Sequence, residues 1–311
     1  MTRRPFRFGV QASRATSADE WKDLARKAED LGYSTLTMAD HFDDQLAAGP
    51  ALAMAAEATT KLRLGTIVYC NDYRHPVVLA KEAATLDLLT EGRFEFGLGA
   101  GWMTSDYASS GIELEPAGRR IDRMLESLEI CRRLFGDAPV DFKGEHYQIS
   151  GLSGGPRPRT PGGPPVFIGG GGPRMLREAG RHADMVGINF NLNPGVISAE
   201  LGPDATPERA DEKISWVKAG AGDRWNDIEI QVRIHLATVT DDRMSMAEML
   251  APAFGLTTDQ ALGSPFALVG TAQQIAEDLL ARRERWAISY ITVSADAMDQ
   301  MGAVIELLDG R

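Results

Sequence analysis

Apolar residues recur along this chain with two different spacings. Short runs dense in Val, Ile, Leu and Phe predict buried strands, and the stretches between them carry apolar residues at the spacing of an amphipathic helix. The predicted strands are Phe6 to Gln11, Ser34 to Met38, Arg63 to Tyr69, Phe94 to Gly99, Pro165 to Gly169, Met185 to Phe190, Ile228 to Val239 and Tyr290 to Ser294. The predicted helices are Ala18 to Leu31, Pro50 to Thr60, Pro76 to Leu89, Arg119 to Phe135, Pro173 to His182, Thr206 to Ala219, Ala272 to Arg285 and Ala297 to Leu308. These alternations predict an α/β protein with the (β/α)8 TIM barrel fold rather than an open sheet.

Two segments do not follow the alternation. Residues 136–164 are rich in Gly and Pro and include a hairpin-like pattern from Val140 to Ile149, and residues 243–268 form the other segment. Insertions of this size in a barrel usually lie on loops, and loops after strands can cover the active face. We therefore predict a single domain over residues 1–311, with insertions near 136–164 and 243–268.

The composition excludes several classes of protein. Of the 311 residues, 43% are hydrophobic and 25% are charged, which is typical of a globular protein with a large core. The formal net charge of -11 argues against nucleic-acid binding, which needs clustered Lys and Arg. No stretch approaches the roughly 20 apolar residues of a membrane span, and the first residues lack a signal-peptide core. We therefore expect a cytoplasmic protein that binds neither nucleic acid nor membranes.

The sequence lacks the motifs of hydrolytic and metal-dependent enzymes. Cys70 and Cys131 have no spaced Cys or His partners, so we expect two buried thiols rather than a disulfide or a zinc site. The five histidines are scattered, and no nucleophile elbow, Walker loop or paired-His motif is present. These observations predict no metal and favour a bound redox cofactor as the carrier of the difficult chemistry.

A run of four glycines separates a predicted strand from a predicted helix. Gly169, Gly170, Gly171 and Gly172 follow the apolar segment PPVFI, and Pro173 opens the helix. Residues without Cβ let the backbone approach an oxyanion closely, and the N-terminus of the next helix attracts negative charge. A flexible turn is the alternative. The position between a strand and a helix favours a site for a phosphate-bearing ligand.

The carboxyl ends of the predicted strands carry the other candidates, because the active sites of (β/α)8 barrels lie there. Asp40 and His41 follow the second strand, where an imidazole can act as an acid, a base or a hydrogen-bond donor. A structural histidine is the alternative, and a lone His does not decide between them. The fourth strand ends in GLGAGW, whose glycine spacing departs from the dinucleotide-binding fingerprint. Trp102 is expected to form an aromatic wall beside a flat ligand, with core packing as the alternative.

Taken together, these motifs resemble the luciferase-like family of flavin and deazaflavin oxidoreductases, and most closely its coenzyme F420-dependent branch. The matching segments are RPFRFGVQ, AEDLGYSTLTMADHF, TTKLRLGTIV, RHPVVLAKEAATLDLLTEGRFEFGLGAGW and PPVFIGGGGPRMLREAGRHADMVGI. They span most of the chain, and they are specific jointly rather than singly. The resemblance implies a (β/α)8 barrel with the cofactor across the carboxyl ends of the strands.

The resemblance also implies roles for individual residues. His41, with Asp40, corresponds to the position beside the reactive ring, so both are expected in catalysis, with His41 as the proton donor or acceptor. A non-proline cis peptide behind the central ring is expected between Ile67 and Val68, directly after Thr66.

The cofactor implied by the resemblance is coenzyme F420, with FMN as the alternative. Its binding residues are expected to be Thr66, Ile67, Val68, Gly169, Gly170, Gly171, Gly172 and Arg174. The polyglutamate tail of F420 suits arginines at the rim of a site, and this favours F420 over FMN. The arginines in question are Arg157, Arg159, Arg174 and Arg177, and solvated charges are the alternative interpretation.

The expected activity is hydride transfer between C5 of the deazaflavin and an unidentified small organic substrate, in a pocket lined by Trp102 and Phe42. The sugar-phosphate dehydrogenases of the family carry a Trp shortly after the Asp-His pair, whereas Phe42 to Leu46 contain none, so a sugar phosphate is not expected. An FMN-dependent monooxygenase, using O2 and reduced flavin from a separate reductase, is one alternative, and a cofactor-binding protein without turnover is another. The resemblance further implies a homodimer.

Overall fold

The computed structural model describes residues 4–311, apart from the side chains of Leu250 and Ala253, so Met1 to Arg3 of the predicted domain lie outside the described residues. The strands are β1 Arg7–Gln11, β2 Thr35–Met38, β3 Arg63–Thr66, β4 Tyr69–Cys70, β5 Phe94–Gly99, β6 Val140–Lys143, β7 Gln148–Leu152, β8 Val166–Gly170, β9 Met185–Ile188, β10 Glu229–Arg233, β11 Leu236–Val239, β12 Ala267–Gly270 and β13 Ile288–Ser294. The helices are α1 Ala18–Asp30, α2 Ala48–Ala58, α3 Pro76–Leu89, α4 Thr104–Ser110, α5 Ala117–Phe135, α6 Pro173–His182, α7 Pro207–Ala221, α8 Arg243–Leu250, α9 Thr258–Gly263, α10 Ala272–Trp286 and α11 Gly302–Leu308.

The principal sheet confirms the predicted (β/α)8 fold. Its strand order is β3-β2-β1-β13-β10-β9-β8-β5-β4, and a further pairing of β3 with β5 closes the ring of strands. Strands β1 and β13, β10 and β13, β9 and β10, β3 and β5, and β5 and β8 pair in parallel. Helices follow most of these strands, as the parallel crossovers require.

The chain folds into two compact units, each made of more than one stretch of sequence. Unit 1 consists of the described residues up to Ala12, of Lys27–Thr35 and of Gly169–Arg311. Unit 2 consists of Ser13–Arg26 and Leu36–Ile168. Unit 1 contains the glycine run and helix α6, and unit 2 contains the Asp40-His41 pair and helix α4.

Several predicted elements differ from the observed ones. The predicted strand from Ile228 to Val239 is two strands, and the second of them, β11, pairs with the unpredicted β12 in a separate sheet. The apolar pattern runs on through this stretch, so periodicity does not mark the break. Helix α11 begins at Gly302 rather than at Ala297, because a short 3-10 turn precedes it. The hairpin pattern in residues 136–164 is confirmed as the antiparallel pair of β6 and β7.

Both cysteines are free and buried, as predicted. Burial raises the pKa of the Cys70 thiol to about 11, although a contact of its sulfur with the Tyr107 hydroxyl at 3.6 Å opposes the rise. Burial also raises the pKa of the Cys131 thiol to about 12. Both side chains are therefore protonated at neutral pH and act as small apolar groups of the core of unit 2.

Candidate active site

His41 makes the central polar contact of unit 2. Its Nδ1 lies 2.7 Å from Oδ2 of Asp106, a carboxylate that is 4% exposed and lies in the first turn of α4. Because an ionised carboxylate only accepts hydrogen bonds, this contact places the ring proton on Nδ1 and leaves the lone pair of a neutral ring on Nε2. The arrangement gives His41 a defined orientation and a defined tautomer.

Two further groups donate to the same carboxylate. The Tyr73 hydroxyl donates to Oδ2 of Asp106 at 2.9 Å, and the backbone N–H of Phe42 donates to Oδ1 at 3.3 Å. Burial raises the pKa of Tyr73 above its ordinary value, so the phenol stays protonated and remains a donor. Asp106 thus accepts three hydrogen bonds while its own charge stays available to a protonated His41.

Aromatic side chains surround this polar contact. The Trp102 ring meets the His41 ring edge to face, with 5.6 Å between the centroids. The Phe42 ring packs against Tyr73 at 4.3 Å and is 50% exposed, and Trp102 is half-buried. Trp102 therefore presents apolar surface beside the His41 ring, and Phe42 presents it beside Tyr73. We call His41, Asp106, Tyr73, Phe42 and Trp102 the His41 cluster.

Asp40 lies beside His41 in sequence but has different partners. Its carboxylate is held by Nη1 of Arg74 at 2.6 Å, by Nη2 of Arg74 at 3.0 Å and by the backbone N–H of Cys70 at 3.0 Å. A bidentate arginine pair of this kind fixes geometry strongly. The contacts of Asp40 thus join the segment after β2 to the last residue of β4 and to Arg74. Its predicted part in catalysis stays a prediction.

The predicted cis peptide between Ile67 and Val68 is present in the structure. It divides the predicted strand from Arg63 to Tyr69 into β3 and β4. Ile67 and Val68 are half-buried, whereas their neighbours Thr66 and Tyr69 are buried, so these two residues are partly accessible to solvent. Thr66 is buried. Its hydroxyl donates to the carbonyl oxygen of Gly97 in β5 and accepts from the N–H of the same residue, so its observed contacts lie within the sheet.

Gly169 and Gly170 are the last residues of β8, and Gly171 and Gly172 join that strand to helix α6 in unit 1. None of the four glycines has a positive φ, so the run does not serve a left-handed turn. A Cβ on Gly171 would collide with the carbonyl oxygen of Phe190, and one on Gly170 would collide with the Met175 side chain. Protein packing therefore explains these two glycines.

Gly172 differs from the other glycines of the run. It is the N-cap of α6, where no side chain caps the helix, and a Cβ there would meet nothing closer than 3.8 Å. Arg174, in the first turn of the helix, is exposed. An uncapped N-terminus of a ten-residue helix, open at its N-cap and next to an arginine, has the chemistry of an anion site.

Sequence reasoning missed Asp106 and Tyr73, the two side chains that hydrogen-bond within the His41 cluster. Helix α4 has seven residues, TSDYASS, which is too short for an apolar period to reveal it. The usable signal was an acidic residue shortly after a strand that ends at the same edge as the strand before His41. In residues 4–311, no three His, Cys, Asp or Glu side chains are grouped to hold a metal ion, and no helix is long and apolar enough to cross a membrane.

The chain is an oxidoreductase with a (β/α)8 barrel fold. The chain belongs to the luciferase-like monooxygenase family, whose model matches residues 4–255. Family membership confirms the predicted resemblance and the prediction of an oxidoreductase enzyme.

Two relatives are similar to this chain in sequence, and a solved structure is similar to it in fold. The F420-dependent glucose-6-phosphate dehydrogenase of Mycolicibacterium gilvum is 28% identical over 318 residues, 97% of this chain and 89% of that protein. The protein of the same name from Amycolatopsis mediterranei is 34% identical over 170 residues, which cover 52% of this chain and 50% of the relative. The coenzyme F420-dependent tetrahydromethanopterin reductase of Methanopyrus kandleri has the same fold, with a TM-score of 0.77, 17% identity and coverage of 98% of this chain and 100% of that one.

Proposed function

We propose that this chain is a coenzyme F420-dependent oxidoreductase that transfers a hydride between the deazaflavin and a small organic substrate. The observation that carries the proposal is the 2.7 Å contact between Nδ1 of His41 and the buried carboxylate of Asp106, which prepares the other ring nitrogen for proton transfer. The F420-dependent relatives support the choice of cofactor.

His41 manages the proton in this proposal. Nε2 accepts a proton from a substrate hydroxyl when the substrate is oxidised, and it returns that proton in the reverse direction. The charge that forms on the imidazole is stabilised by Asp106, which keeps its hydrogen bond to Nδ1 throughout. Tyr73 supports the same carboxylate and takes no proton itself.

The described residues fit the cofactor in each unit. Bound F420 would supply the carbon that accepts or releases the hydride. We assign its phosphate to Gly172 and the N-terminus of α6, where the open N-cap and the helix dipole suit an anion. We assign Ile67 and Val68, which are partly accessible to solvent, to contact with its ring system.

The substrate proposed here is not a sugar phosphate, although relatives are named for glucose 6-phosphate. Two arginines of unit 2 are already paired: Arg74 binds Asp40 at 2.6 Å, and Arg123 binds Asp72 at 3.0 Å. Phe42 and Trp102 present apolar surface instead. We propose a substrate whose reacting carbon lies beside this aromatic surface.

An FMN-dependent monooxygenase is the second candidate, because the matching family model is described as luciferase-like monooxygenase. Such an enzyme would take reduced flavin from a separate reductase and use O2. The two candidates differ in the cofactor that the chain binds.

Anaerobic titration of the purified chain with F420 and with FMN, followed by fluorescence, tests the proposal. We expect saturable binding of F420 and weaker binding of FMN. Tight FMN binding without an F420 response would replace the proposal with the monooxygenase. Binding of neither cofactor would refute both.

A further inference from the structure

Strand β10 of unit 1 has three polar residues at alternate positions. Successive side chains of a strand point to opposite faces, so Glu229, Gln231 and Arg233 share one face. Glu229 lies at the amino end of β10, where its carboxylate binds Arg7 at 2.7 Å. Gln231 is in the middle and donates to the Thr292 hydroxyl at 2.9 Å. Arg233 is the last residue of β10 and lies at the carboxyl end of the strand. Barrel enzymes have their active sites at this end of the strands.

Arg233 is held by neutral groups from the carboxyl ends of two other strands. Its Nε donates to Oε1 of Gln11, the last residue of β1, at 2.6 Å, and its Nη2 donates to Oγ of Ser294, the last residue of β13, at 2.7 Å. Its Nη1 donates to the carbonyl oxygen of Ile234. These three acceptors fix the position of the guanidinium without neutralising it.

Arg233 and Arg7, which lies in β1 and binds Glu229, therefore differ in charge balance. Arg7 has the carboxylate of Glu229 as its partner, whereas Arg233 has no carboxylate within ion-pair distance among residues 4–311. Asp296 attracts Arg233 only from further away. Arg233 is half-buried, and a sheltered charge without a counter-ion costs free energy unless a ligand supplies one.

The group around Arg233 has more donors than acceptors. The guanidinium carries five N–H bonds and uses three in the described contacts. Because a guanidinium cannot accept, Gln11 must present its carboxamide oxygen to Arg233, so the amide N–H groups of Gln11 point elsewhere. The Ser294 hydroxyl accepts from Arg233 and keeps its own proton to donate. Such a set matches a ligand that only accepts hydrogen bonds and carries negative charge.

The charge of the group favours a monoanion. Burial, together with the charge of Arg233, lowers the pKa of His235 to about 4, so that nearby ring is neutral at pH 7. Arg233 is then the one positive charge of the group, and Asp296 offsets part of it. A carboxylate would be neutralised by a single guanidinium, whereas a phosphate dianion would leave an uncompensated charge.

We propose that Arg233, Gln11 and Ser294 form a subsite within unit 1 that binds the carboxylate group of a small organic molecule. The proposal is independent of the proposed function. The subsite is separate in its residues from the glycine run, which we assign to phosphate.

Binding of benzoate to the full chain without added cofactor, followed by calorimetry and saturation-transfer NMR, tests the subsite. Benzamide, a neutral molecule of the same shape, serves as the matched probe. We expect benzoate to bind at least about tenfold more tightly than benzamide, since a charge-assisted bond is lost with the carboxylate. Equal binding of the two probes, or binding of neither, would refute the subsite.

Three variants locate the binding. Arg233→Gln removes the charge and is expected to weaken benzoate binding at least about tenfold. Arg26→Gln, an exposed position on α1, changes the net charge equally and is expected to leave binding unchanged. Gln11→Glu places a carboxylate against Arg233 inside the protein, so it is expected to preserve or raise the melting temperature while it abolishes benzoate binding.

The variants also test the proposal if Arg233→Gln does not fold or if benzoate binding survives a substitution. If Arg233→Gln does not fold, Gln11→Glu decides, because it adds no volume and completes an ion pair. Benzoate binding that survives in a folded Arg233→Gln or Gln11→Glu variant would place the anion elsewhere and refute the subsite. If benzoate binds as expected and F420 does not, the subsite stands and the proposed function falls; the opposite pair of results leaves the proposed function and removes the subsite.

Discussion

His41 has its Nδ1 in a hydrogen bond with Asp106, and no hydrogen bond of its Nε2 is found among residues 4–311. The contact of Nδ1 with Asp106 resembles the way in which many enzymes orient a histidine base, since the carboxylate fixes the tautomer and stabilises the imidazolium. Trp102 limits the freedom of the ring from one side. The residue therefore has the features of a proton-transfer group rather than of a packing residue.

Replacing His41 with Ala is expected to lower turnover by about 10²- to 10⁴-fold, because proton transfer loses its positioned base. Affinity for F420 is expected to change little, since the imidazole is assigned to the proton and not to the phosphate. Steady-state kinetics and fluorescence titration on the same preparation separate the two effects. An unchanged turnover number would remove the assigned role.

Replacing Asp106 with Asn tests positioning rather than direct chemistry. Asn can donate where Asp106 only accepts, so it supports the wrong tautomer of His41, and turnover is expected to fall by about 10²-fold with a shifted pH profile. Asp106→Glu keeps the charge and is expected to recover part of the loss. A variant with lowered stability and an unaltered pH profile would indicate a purely structural carboxylate.

At the scale of elements, the turn from β8 to α6 combines packing and binding in adjacent residues. Gly171 is required because the carbonyl oxygen of Phe190 occupies the place of a side chain. Gly172 has open space and an uncapped helix in front of it. Two adjacent glycines of the run thus differ: packing excludes a side chain at Gly171, whereas Gly172 has room for one.

Alanine substitutions at Gly171 and Gly172 are expected to change the stability of the fold by different amounts. Gly171→Ala should destabilise the fold by about 1–3 kcal/mol, because a Cβ cannot be placed without moving backbone. Gly172→Ala should change stability far less, since the nearest atom to its Cβ is 3.8 Å away. Urea unfolding of both variants gives the comparison, and equal losses would contradict the packing explanation.

Aspartate at Gly172 should uncouple stability from binding. Asp is a favourable N-cap, so helix α6 is expected to keep its stability or gain a few tenths of a kcal/mol. The same carboxylate would repel a phosphate at the helix N-terminus, so F420 affinity is expected to fall at least about tenfold. Thermal unfolding and cofactor titration measure the two effects. Undiminished F420 binding would place the phosphate elsewhere.

The elements also show how far the sequence alone can lead. Long periodic segments such as α3 and α5, and apolar runs such as β5, were predicted within a few residues because burial dictates their pattern. The same pattern could not show that residues 228–239 change sheets, nor that seven residues after Trp102 form α4. His41 was therefore predicted. Its partner Asp106 was missed, because the two residues lie 65 positions apart in the sequence and meet only in the folded chain.

At the scale of the whole molecule, His235 links stability to pH. Its Nε2 lies 3.1 Å from Oδ1 of Asn189, and its ring packs against Phe190. Its pKa is lowered to about 4 from an ordinary value near 6.5, so between these values the unfolded chain binds more protons than the folded one. Stability therefore rises with pH across this window and is lost as the pH falls from about 6.5 to 4.

His235→Gln is expected to reduce that loss of stability at acid pH. His235 is exposed to solvent, so the effect should be smaller than the full shift of the pKa would give. Melting temperatures of the wild type and the variant, taken at several pH values between 4 and 7, test it. Parallel curves for the two proteins would show that another group causes the acid sensitivity.

Properties of the assembled protein stay predictions. The homodimer, the cytoplasmic location, the separate reductase and the single domain over residues 1–311 follow from the resemblance or from composition. The fold and family are established on firmer ground, because they depend on the whole chain rather than on one surface. Light scattering of the purified chain measures the oligomeric state directly.

The buried thiols have a practical consequence. Only a solvent-exposed thiolate reacts with iodoacetamide, and Cys70 and Cys131 are both sheltered and protonated near neutrality. Alkylation of the native chain should therefore proceed only through transient openings of unit 2, at a rate set by how often they occur. The alkylation rate of these two cysteines thus reports how often unit 2 opens locally, without an engineered label.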